Sequence, residues 1–550
     1  MRTRIALISI LAVVPALAAT QEPARVGVGV VEKKLTLSQA IEAALKNNLE
    51  LEIERTSVAT AEQGLKAAQG AFDGIFRWQP LVERRNTPTS SILFGAQGKL
   101  SENFHNQNFS FLQKLPSHGS SLQAEFLNGR QTTNNPFVGL NPTLTTQFLV
   151  SFQQPLLRNR QIDRDRAELR IRSKQIEISR SDLELKVIDI VTRTELAYWD
   201  LVAARQDVKV KADGVEWAQE QLARNTRMIE SGTLAPVELS AAEAELERRR
   251  DTYYASIGVW TEAENALKTL VAPHRDDGLW SDGIVPTDER ALDPPPSDDL
   301  RQAVAVAVRQ RPELQGVELR RQSNSVEKAL AEDQIKPQVN LVANYTNSGL
   351  AGTQAPSDNN PFSQSNAATA QRLNELSARA GLAPLSPPTF GSAPPGLLGG
   401  YGSALSNLFG GNYQSFQVGL AMDWNTRNRA AQALLSQTVI AGRRLELEKT
   451  RVEQAVAAQV RNAVQAIQTA RQRILAADAS ARAAKEKLES ETRLFQAGES
   501  TNFFVLTRQN EYTDSLRRSL VARLDWNRAV ARLQQALGGT LTVHRLRLDN

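Results

Sequence analysis

The residues best suited to bind a metal ion or to transfer protons are few and far apart in this chain. The histidines show no ligand spacing and no His-Glu-x-x-His sequence; they are His105, His118, His274 and His544. The glycine-rich stretch Gly396–Gly402 lacks the Lys-Ser/Thr pair of a phosphate-binding loop, and no Gly-x-Ser-x-Gly nucleophile sequence is present. The carboxylates along the helical segments are typical of a solvated helix face. We therefore expect no enzyme, no cofactor and no metal site.

The clearest chemical signal in the sequence is a pair of stretches in which apolar and polar residues alternate. From Thr143 to Gln153, apolar and mostly polar residues alternate, which predicts a strand with two different faces. The stretch from Gln414 to Trp424 repeats the pattern. A soluble half-buried sheet uses the same alternation, but an exported chain without spanning helices favours an outer-membrane wall. The expected lipid-facing residues are Phe148, Val150, Phe152, Phe416, Val418, Leu420, Met422 and Trp424.

Four further stretches have strand character. Ile75–Glu83 and Lys336–Ser348 alternate around aromatic and branched residues. Asn108–Leu115 and Ser120–Leu127, within residues 106–128, are either additional wall strands or an extension outside the membrane. A long loop over about 350–411, rich in Gly, Pro, Ser and Asn with a short helix near 367–380, suits the cell exterior, where barrel loops are long.

Composition and charge narrow the function. The 550 residues carry a net charge of +5, with acids and bases interspersed, so we expect no nucleic-acid partner. Residues 1–18 have a charged start, an apolar run and an Ala-Leu-Ala pattern, which predicts a cleaved secretory signal. The chain has no cysteine, so packing or assembly must provide stability in the oxidising compartment.

The sequence also repeats itself. Leu37–Leu51 aligns with Leu300–Leu314 at an offset of 263 residues. From Ala197 to Leu267, an offset of 266 holds without a gap: Gly232 matches Gly498, and Trp260 matches Trp526. The chain is therefore a tandem duplication, and each half should repeat one supersecondary plan.

Each half contains a very long helix with a seven-residue apolar repeat. One row is Val187, Thr194, Leu201, Val208, Val215, Leu222 and Ile229, and its counterpart is Val460, Ile467, Ile474, Ala481, Leu488 and Phe495. This spacing predicts left-handed coiled-coil packing, and an alanine-rich companion row predicts closely spaced helices.

These features define the expected organisation. The first repeat covers 35–275, with strands over about 75–156, a long helix over about 160–230, a tip turn at 231–236 and a helix over about 236–271. A linker at 276–297 leads to the second repeat at 298–540. There we expect strands at about 337–347 and 414–424, a helix over about 427–496, a turn at 497–501 and a helix over about 502–537, before a tail at 541–550.

The ordered set of motifs resembles the TolC-like outer-membrane efflux factors over roughly residues 35–540. The shared marks are the Leu35–Leu51 stretch with its echo at Leu300, the "QQPLL" that leaves a strand at Gln153, and two glycine turns. The resemblance implies an α+β membrane protein. Its duplicated protomers would form a trimeric outer-membrane β-barrel, continuous with a long periplasmic α-helical coiled-coil barrel.

The resemblance also implies function and partners. The homotrimer would be a passive exit duct for an inner-membrane transporter, joined through a periplasmic adaptor protein and seated in outer-membrane lipid. The glycine turns would be tips at which the adaptor docks; the implied docking residues are Gly232, Leu234, Val237, Leu239, Gly498, Phe503, Val505 and Leu506. A helix turn with apolar residues suits a partner helix in a groove.

The resemblance implies acidic constrictions six and nine positions after the second glycine, but Phe504 and Thr507 occupy those positions here. Glu238, six positions after the first glycine, does fit. We expect a constriction formed by Phe504, Thr507 and Glu238, with the Phe504 ring excluding water; the alternative role of Phe504 is ordinary packing between helices. The alternative function is a soluble periplasmic coiled-coil scaffold or adaptor, which accounts for the heptads but not for the lipid-like strands.

Overall fold

The structure is a computed structural model that describes residues 25–29, 31–90, 98–232, 235–288, 299–356, 361–385 and 393–546, and the side chains of 361–364 are not described. The expected signal at 1–18, the docking candidate Leu234 and the linker part from 289 onward lie outside the described residues. The chain divides into two compact units. The helical unit comprises Met1–Val58, Ile178–Glu318 and Glu448–Asn550, and the sheet unit comprises Ala59–Glu177 and Leu319–Leu447.

The described residues form the following elements. The helices are α1 (Leu37–Asn47), α2 (Leu49–Gln69), α3 (Arg164–Glu230), α4 (Val237–Val271), α5 (Leu300–Gln310), α6 (Pro312–Ile335), α7 (Pro361–Arg379), α8 (Tyr401–Phe409), α9 (Arg429–Gln496), α10 (Asn502–Leu537) and α11 (Thr540–Val543). The strands are β1 (Glu32–Leu35), β2 (Ile75–Pro88), β3 (Lys99–Lys114), β4 (Ser121–Thr133), β5 (Leu140–Pro155), β6 (Gly283–Pro286), β7 (Gln338–Gln354) and β8 (Gln414–Asp423).

The two long helices are continuous. α3 has 67 residues and α9 has 68, so each is on the order of 100 Å long at 1.5 Å per residue. Gly214 lies inside α3 without interrupting it. α3 begins four residues after the predicted position 160, because the chain first turns through residues 156–163. None of the described helices combines the length and apolarity that crossing a bilayer requires.

The duplication is visible as two cores in the helical unit. The first gathers buried residues of α1, α3 and α4, including Leu201, Trp260 and Leu267. The second gathers residues of α5, α9 and α10 and includes their counterparts Ile467, Trp526 and Leu533. The short helices α1 and α5 have N-terminal side-chain caps. Thr36 and Gln39 form a reciprocal pair of hydrogen bonds at the start of α1, and the Asp299 side chain accepts a hydrogen bond from the Arg301 amide at the start of α5. Each repeat therefore buries its own apolar face.

The buried row of α3 drifts across the helix surface. Val187, Leu201 and Val208 are buried, but the later positions of this row are only half-buried. Ala218, which belongs to the alanine-rich companion row, is buried, and so is Gln221, which belongs to neither row. A straight α-helix drifts by about 20° per heptad relative to a strict seven-residue repeat, so one row does not stay buried over its whole length. The sequence pattern located the core correctly for about half of the helix.

Two expected irregular segments contain regular structure. The predicted linker at 276–297 includes β6, which pairs in parallel with β1 from Glu32↔Gly283 to Leu35↔Pro286. The expected tail at 541–550 begins within α11. Four-residue strands and helices carry too little periodicity to be predicted, and their partners lie far away in sequence.

The sheet unit contains a six-stranded antiparallel sheet in the order β2-β3-β4-β5-β7-β8. β3 and β4 contain the two stretches within 106–128 whose role the sequence left open. They lie inside the sheet, between β2 and β5. The first repeat therefore contributes four strands and the second contributes two.

The described part of the long loop in the second repeat contains more regular structure than expected. β7 continues to Gln354, beyond the predicted strand end at 347 and the loop start at 350. α7 begins at Pro361 and covers most of the short helix expected near 367–380. A second helix, α8, was not predicted; it packs on β5 and β7. Nine residues bounded by glycines gave too short a pattern for a helix prediction.

Candidate functional site

The register of the sheet sorts its side chains onto two faces. Trp78, Phe109, Phe126 and Phe148 are successive cross-strand partners, so they lie on one face of four neighbouring strands. The same face continues through Tyr345 of β7, which pairs with Val150 and with Phe416. It holds all the expected lipid-facing residues of the two strands: Phe148, Val150, Phe152, Phe416, Val418, Leu420 and Met422. This is called the apolar face below.

Trp424 directly follows the end of β8 and is exposed, as are Phe416, Val418, Leu420 and Met422. Phe148 is more than a third exposed, and Val150 and Phe152 are half-buried by neighbouring side chains. Exposed aromatic and branched side chains on a single sheet face are unfavourable in water unless something apolar covers them. The whole row is therefore available to a lipid or protein surface.

The opposite face is mostly polar. It carries amides, hydroxyls and charges on every strand: Arg77, Gln79, Glu83, Asn106, Asn108, Ser110, Gln123, Glu125, Gln147, Ser151, Asn340, Asn344, Thr346, Ser415, Gln417 and Asp423. Strands of 10–17 residues are long enough to cross a hydrocarbon layer, which takes about 9–11 tilted residues. One lipid-like and one water-like face is the arrangement of a membrane barrel wall.

β2 and β8 are the edge strands of this sheet, so each has one side without a strand partner in the described chain. Unpaired backbone N–H and C=O groups are strongly disfavoured in hydrocarbon. An apolar, lipid-facing sheet with two open edges therefore needs further strands to close it.

The second candidate site is the pair of turns between the long helices. Gly232 and Gly498 have φ of +75° and +80°, a conformation that is costly for residues with a Cβ. After α9, the Gly498 amide donates to the Phe495 carbonyl oxygen (3.1 Å), and the Glu499 amide donates to that of Leu494 (2.9 Å). These are the two bonds of a Schellman motif. After α3, the Gly232 amide bonds the Ile229 carbonyl oxygen (2.9 Å) in the same way.

The candidate adaptor-docking residues differ in how far their side chains are exposed. Val237 is 71% exposed and Phe503 is 67% exposed, whereas Leu239 and Leu506 are half-buried. Gly232 and Gly498 are exposed, with no atom within 4 Å of an added Cβ. Val505 is only 2% exposed. The prediction that Val505 offers its side chain to a partner is corrected by this burial, because the residue packs inward, one position after the exposed Phe504.

The constriction candidates lie beside the same turns. The Phe504 ring is 48% exposed and makes an edge contact with Phe503, with ring centroids 5.7 Å apart. Glu238 is half-buried and its carboxylate lies 3.5 Å from the Asn502 amide nitrogen. Thr507 donates its hydroxyl hydrogen to the Phe503 carbonyl oxygen of its own helix (2.8 Å). The structure therefore brings Glu238 to the start of the helix that carries Phe504.

A buried polar cluster, which sequence reasoning missed, connects three helices near the tips. Gln221 of α3 donates from Nε2 to Asn225 Oδ1 (2.9 Å) and to Asn502 Oδ1 of α10 (2.6 Å). These three side chains are almost fully buried, and Asn502 reaches Glu238 of α4. The sequence did contain one signal for this cluster: a Gln and an Asn lie four residues apart in a helix whose neighbouring core positions are apolar, so their side chains could bond to each other.

A second polar contact lies further along the same helices. Buried Arg249 of α4 donates to the Gly214 carbonyl oxygen (2.9 Å), to Asn510 of α10 (2.9 Å) and to Glu245 (2.8 Å). Partial burial alone would raise the pKa of the Glu245 carboxyl, but hydrogen bonds from Arg248 and Arg249 hold that pKa below its usual value. This charged contact joins three helices in a region where the seven-residue repeat predicts only apolar packing.

In the part of the chain that the structure describes, no group of three or more His, Asp or Glu side chains could hold a metal ion. His544 instead contacts Glu195 of α3 through Nε2 (2.5 Å).

Comparisons with known proteins agree with this geometry. No curated protein sequence matches the chain significantly. Solved structures do: the outer-membrane channel OprN is 12% identical, with a TM-score of 0.61 over 92% of this chain and 90% of that one. The Campylobacter jejuni CmeC outer membrane channel is 13% identical, with a TM-score of 0.60 over 92% and 86%. The Neisseria gonorrhoeae MtrE outer membrane channel is 14% identical, with a TM-score of 0.57 over 92% and 89%.

These similarities confirm the expected fold, a duplicated protomer with a wall sheet and long helices. The sequence profile of the family described as outer membrane efflux protein matches residues 121–272 and 392–539, one segment in each repeat and more than half of the chain. That family consists of export channels and is not an enzyme family. This chain belongs to the outer membrane efflux protein family, and it is an outer-membrane export channel with a periplasmic portion.

Proposed function

We propose that three copies of this chain join edge to edge, β8 of one beside β2 of the next, to enclose an aqueous duct. The observation that carries the proposal is the six-stranded sheet with an apolar face, a polar face and two open edges. Closing the ring satisfies the backbone groups of both edges, which lipid would leave unpaired. Three sheets of six strands give an eighteen-stranded wall whose polar faces line the bore.

The duct would receive its substrates from an inner-membrane transporter through a periplasmic adaptor. Its function would be passive, with the transporter that delivers the substrates driving their export. Support for an adaptor contact comes from the two tips, where Val237 and Phe503 expose apolar side chains next to helix-terminating glycines. Leu239 and Leu506 would form the half-buried edges of this docking surface.

The narrowest point would lie at the tips. Three Phe504 rings converging on the axis, with Glu238 and Thr507 beside them, would hold the duct closed by excluding water from an apolar constriction. The buried bonds among Gln221, Asn502 and Glu238 would hold α10 against α3 and α4 in that closed arrangement.

The soluble scaffold is the competing function. It would require a separate protein to cover the apolar face, including Phe416, which is 74% exposed at the edge strand β8. Lipid covers such a surface without any further partner, so the channel is the simpler arrangement.

The experiment is to express the chain with its leader and to wash membranes with carbonate. The channel should stay with the outer-membrane fraction, run as a detergent-stable trimer in native mass spectrometry, and conduct ions in a planar bilayer. A protein that is monomeric and soluble without detergent would contradict both the assembly and the duct.

A further inference from the structure

The segment between Arg379 and Asp423 is unusual because it contains no charged residue and no histidine. Charged residues make up 23% of the whole chain. An external loop in water has no reason to avoid charge, whereas a segment in contact with lipid does, because burying an unpaired charge is costly. α8 lies within this segment.

α8 packs tightly on the sheet. Asn347 of β7 donates from its side-chain amide to the Leu408 carbonyl oxygen, and Thr146 of β5 donates from Oγ1 to the Ala404 carbonyl oxygen (3.2 Å). A Cβ on Gly349 would collide with the α8 backbone at Ala404 and Leu408, so glycine is required at that position for this close approach. Ala404 and Leu408 are fully buried against the strands.

The register shows which face of the sheet α8 covers. Thr146 pairs with Gly349, and Phe148 pairs with Asn347, so all four side-chain positions lie on the apolar face. The loop that carries α8 therefore does not fold over the polar face into the bore. It lies on the outer side of the wall.

α8 also lies where polar side chains, Thr146 on β5 and Asn347 on β7, interrupt the apolar face of these two strands. Along β7, the outward residues run from Val339 to Tyr345 and then change to Asn347. This apolar run is about 20 Å long at 3.3 Å per residue, and strand tilt shortens its height further. Barrel walls carry an apolar band about 25 Å tall. Without α8, lipid at this level would contact the polar side chains of Thr146 and Asn347, which α8 covers.

The outer side of α8 continues the apolar surface. Phe409 is 80% exposed, and Tyr401 and Tyr413 are also exposed. Aromatic residues, tyrosines especially, are enriched where a membrane protein meets the headgroup region. Because α8 packs on β5 and β7, which are not edge strands, joining copies at β2 and β8 would leave it uncovered.

We propose that α8 is an interfacial helix that lies in the outer leaflet of the membrane and contacts lipid acyl chains through Phe409, with Tyr401 and Tyr413 at the headgroup level. The proposal rests on the proposed function, because it takes the apolar face to be lipid-facing. It assigns to a nine-residue segment of the external loop the role of completing the lipid belt and fixing the depth of the barrel.

The chain has no cysteine, so single cysteines can carry a fluorophore without background. Phe409→Cys is labelled with an environment-sensitive dye in the purified trimer reconstituted in bilayers. Val418→Cys, on the apolar face of β8, is the lipid-facing control, and Gln417→Cys, on the polar face, is the bore-facing control. Quenching by nitroxide-labelled lipid and by iodide is measured at each site.

The dye at position 409 should match that at 418, with several-fold stronger quenching by labelled lipid than at 417 and several-fold weaker quenching by iodide. If 418 is lipid-accessible but 409 is quenched mainly by iodide, α8 is in water and only this inference fails. If neither quencher reaches 409, a neighbouring copy covers α8, and the inference also fails. If 418 itself is not lipid-accessible, the proposed wall fails.

Discussion

The two helix tips share a left-handed glycine but carry very different side chains. Gly232 and Gly498 occupy equivalent positions with φ values within 5° of each other, and both end a helix of almost 70 residues. At the 266-residue offset, however, Val237 corresponds to Phe503, and Glu238 corresponds to Phe504. One tip carries an acid beside an aliphatic residue, and the other carries two aromatic rings.

This difference shows which positions must stay alike in the two repeats and which are free to change. Left-handed backbone at the turn requires glycine, and core positions such as Trp260 and Trp526 must fill equivalent cavities. The residues just after each turn face outward or toward the other helix pair, so backbone geometry does not restrict them. The tips could therefore specialise, one for charge and the other for apolar contact, while the helices stayed alike.

The largest effect should come from a contact that only the first helix pair has. Arg249 corresponds to Ser515 in the second repeat. Arg249→Ala leaves Glu245 partly buried without its buried partner and removes a link to α10, so we expect a loss of about 3 kcal/mol in unfolding free energy. Denaturant unfolding of the purified protein measures it.

Arg248→Ala is the matched control. This neighbour also pairs with Glu245 and Asn510, but its side chain is 57% exposed, so its loss should cost no more than about 1 kcal/mol. Equal effects of the two substitutions would show that the buried contact does not hold the helices together.

The second prediction concerns Asn502, whose counterpart in the first repeat is Pro236. Asn502→Ala leaves the buried Gln221 amide without one acceptor, at a cost of about 1–3 kcal/mol to the closed tip. We expect a more frequently open channel in planar bilayers and greater uptake of large antibiotics by cells. Glu499→Ala, exposed on the same turn, is the control and should change neither. An unchanged open probability for Asn502→Ala would show that the polar cluster does not help to keep the channel closed.

The third prediction separates the two aromatic residues of the second tip. Phe504→Ala should raise leakage of bulky antibiotics several-fold without reducing assembly, because it removes the proposed water-excluding ring. Phe503→Ala should instead lower efflux without increasing leakage, because that ring is the more exposed and is proposed for adaptor contact. If Phe504→Ala leaves leakage unchanged, Phe504 is only a packing residue.

The smallest effect is a pH dependence in the second helix pair. A hydrogen bond from Ser519, followed by the charge of Arg523, holds the pKa of the Asp478 carboxyl below its usual value. A depressed folded-state pKa means stability that is present above the unfolded pKa of about 3.9 and is lost as the pH falls through the folded pKa. Thermal melting of the wild type and Asp478→Asn should therefore differ at pH 7, and the difference should shrink progressively as the pH falls below about 4.

Ala212 occupies the equivalent position in the first repeat, so that helix pair has no such contribution. Asp213→Asn, an exposed carboxylate on α3, serves as the control and should melt like the wild type at every pH. A constant difference between Asp478→Asn and the wild type from pH 7 to pH 3 would show that ionisation of Asp478 is not the cause.

Properties that are local and periodic could be predicted from the order of the amino acids. Two-residue alternation identified the apolar and polar sides of β5 and β8, seven-residue spacing identified α3 and α9, and Gly232 and Gly498 marked the ends of those helices. Each of these signals arises within a few residues, because side-chain direction and backbone conformation are set by near neighbours.

Long-range packing established which elements become neighbours and which side chains are buried. It placed β3 and β4 inside the sheet, paired β1 with a strand about 250 residues away, and packed Val505 inward. It also joined Gln221 to Asn502 and laid α8 over the apolar face. These outcomes depend on residues that are distant in sequence, where the free energy of a contact depends on both partners and periodicity carries no information about either.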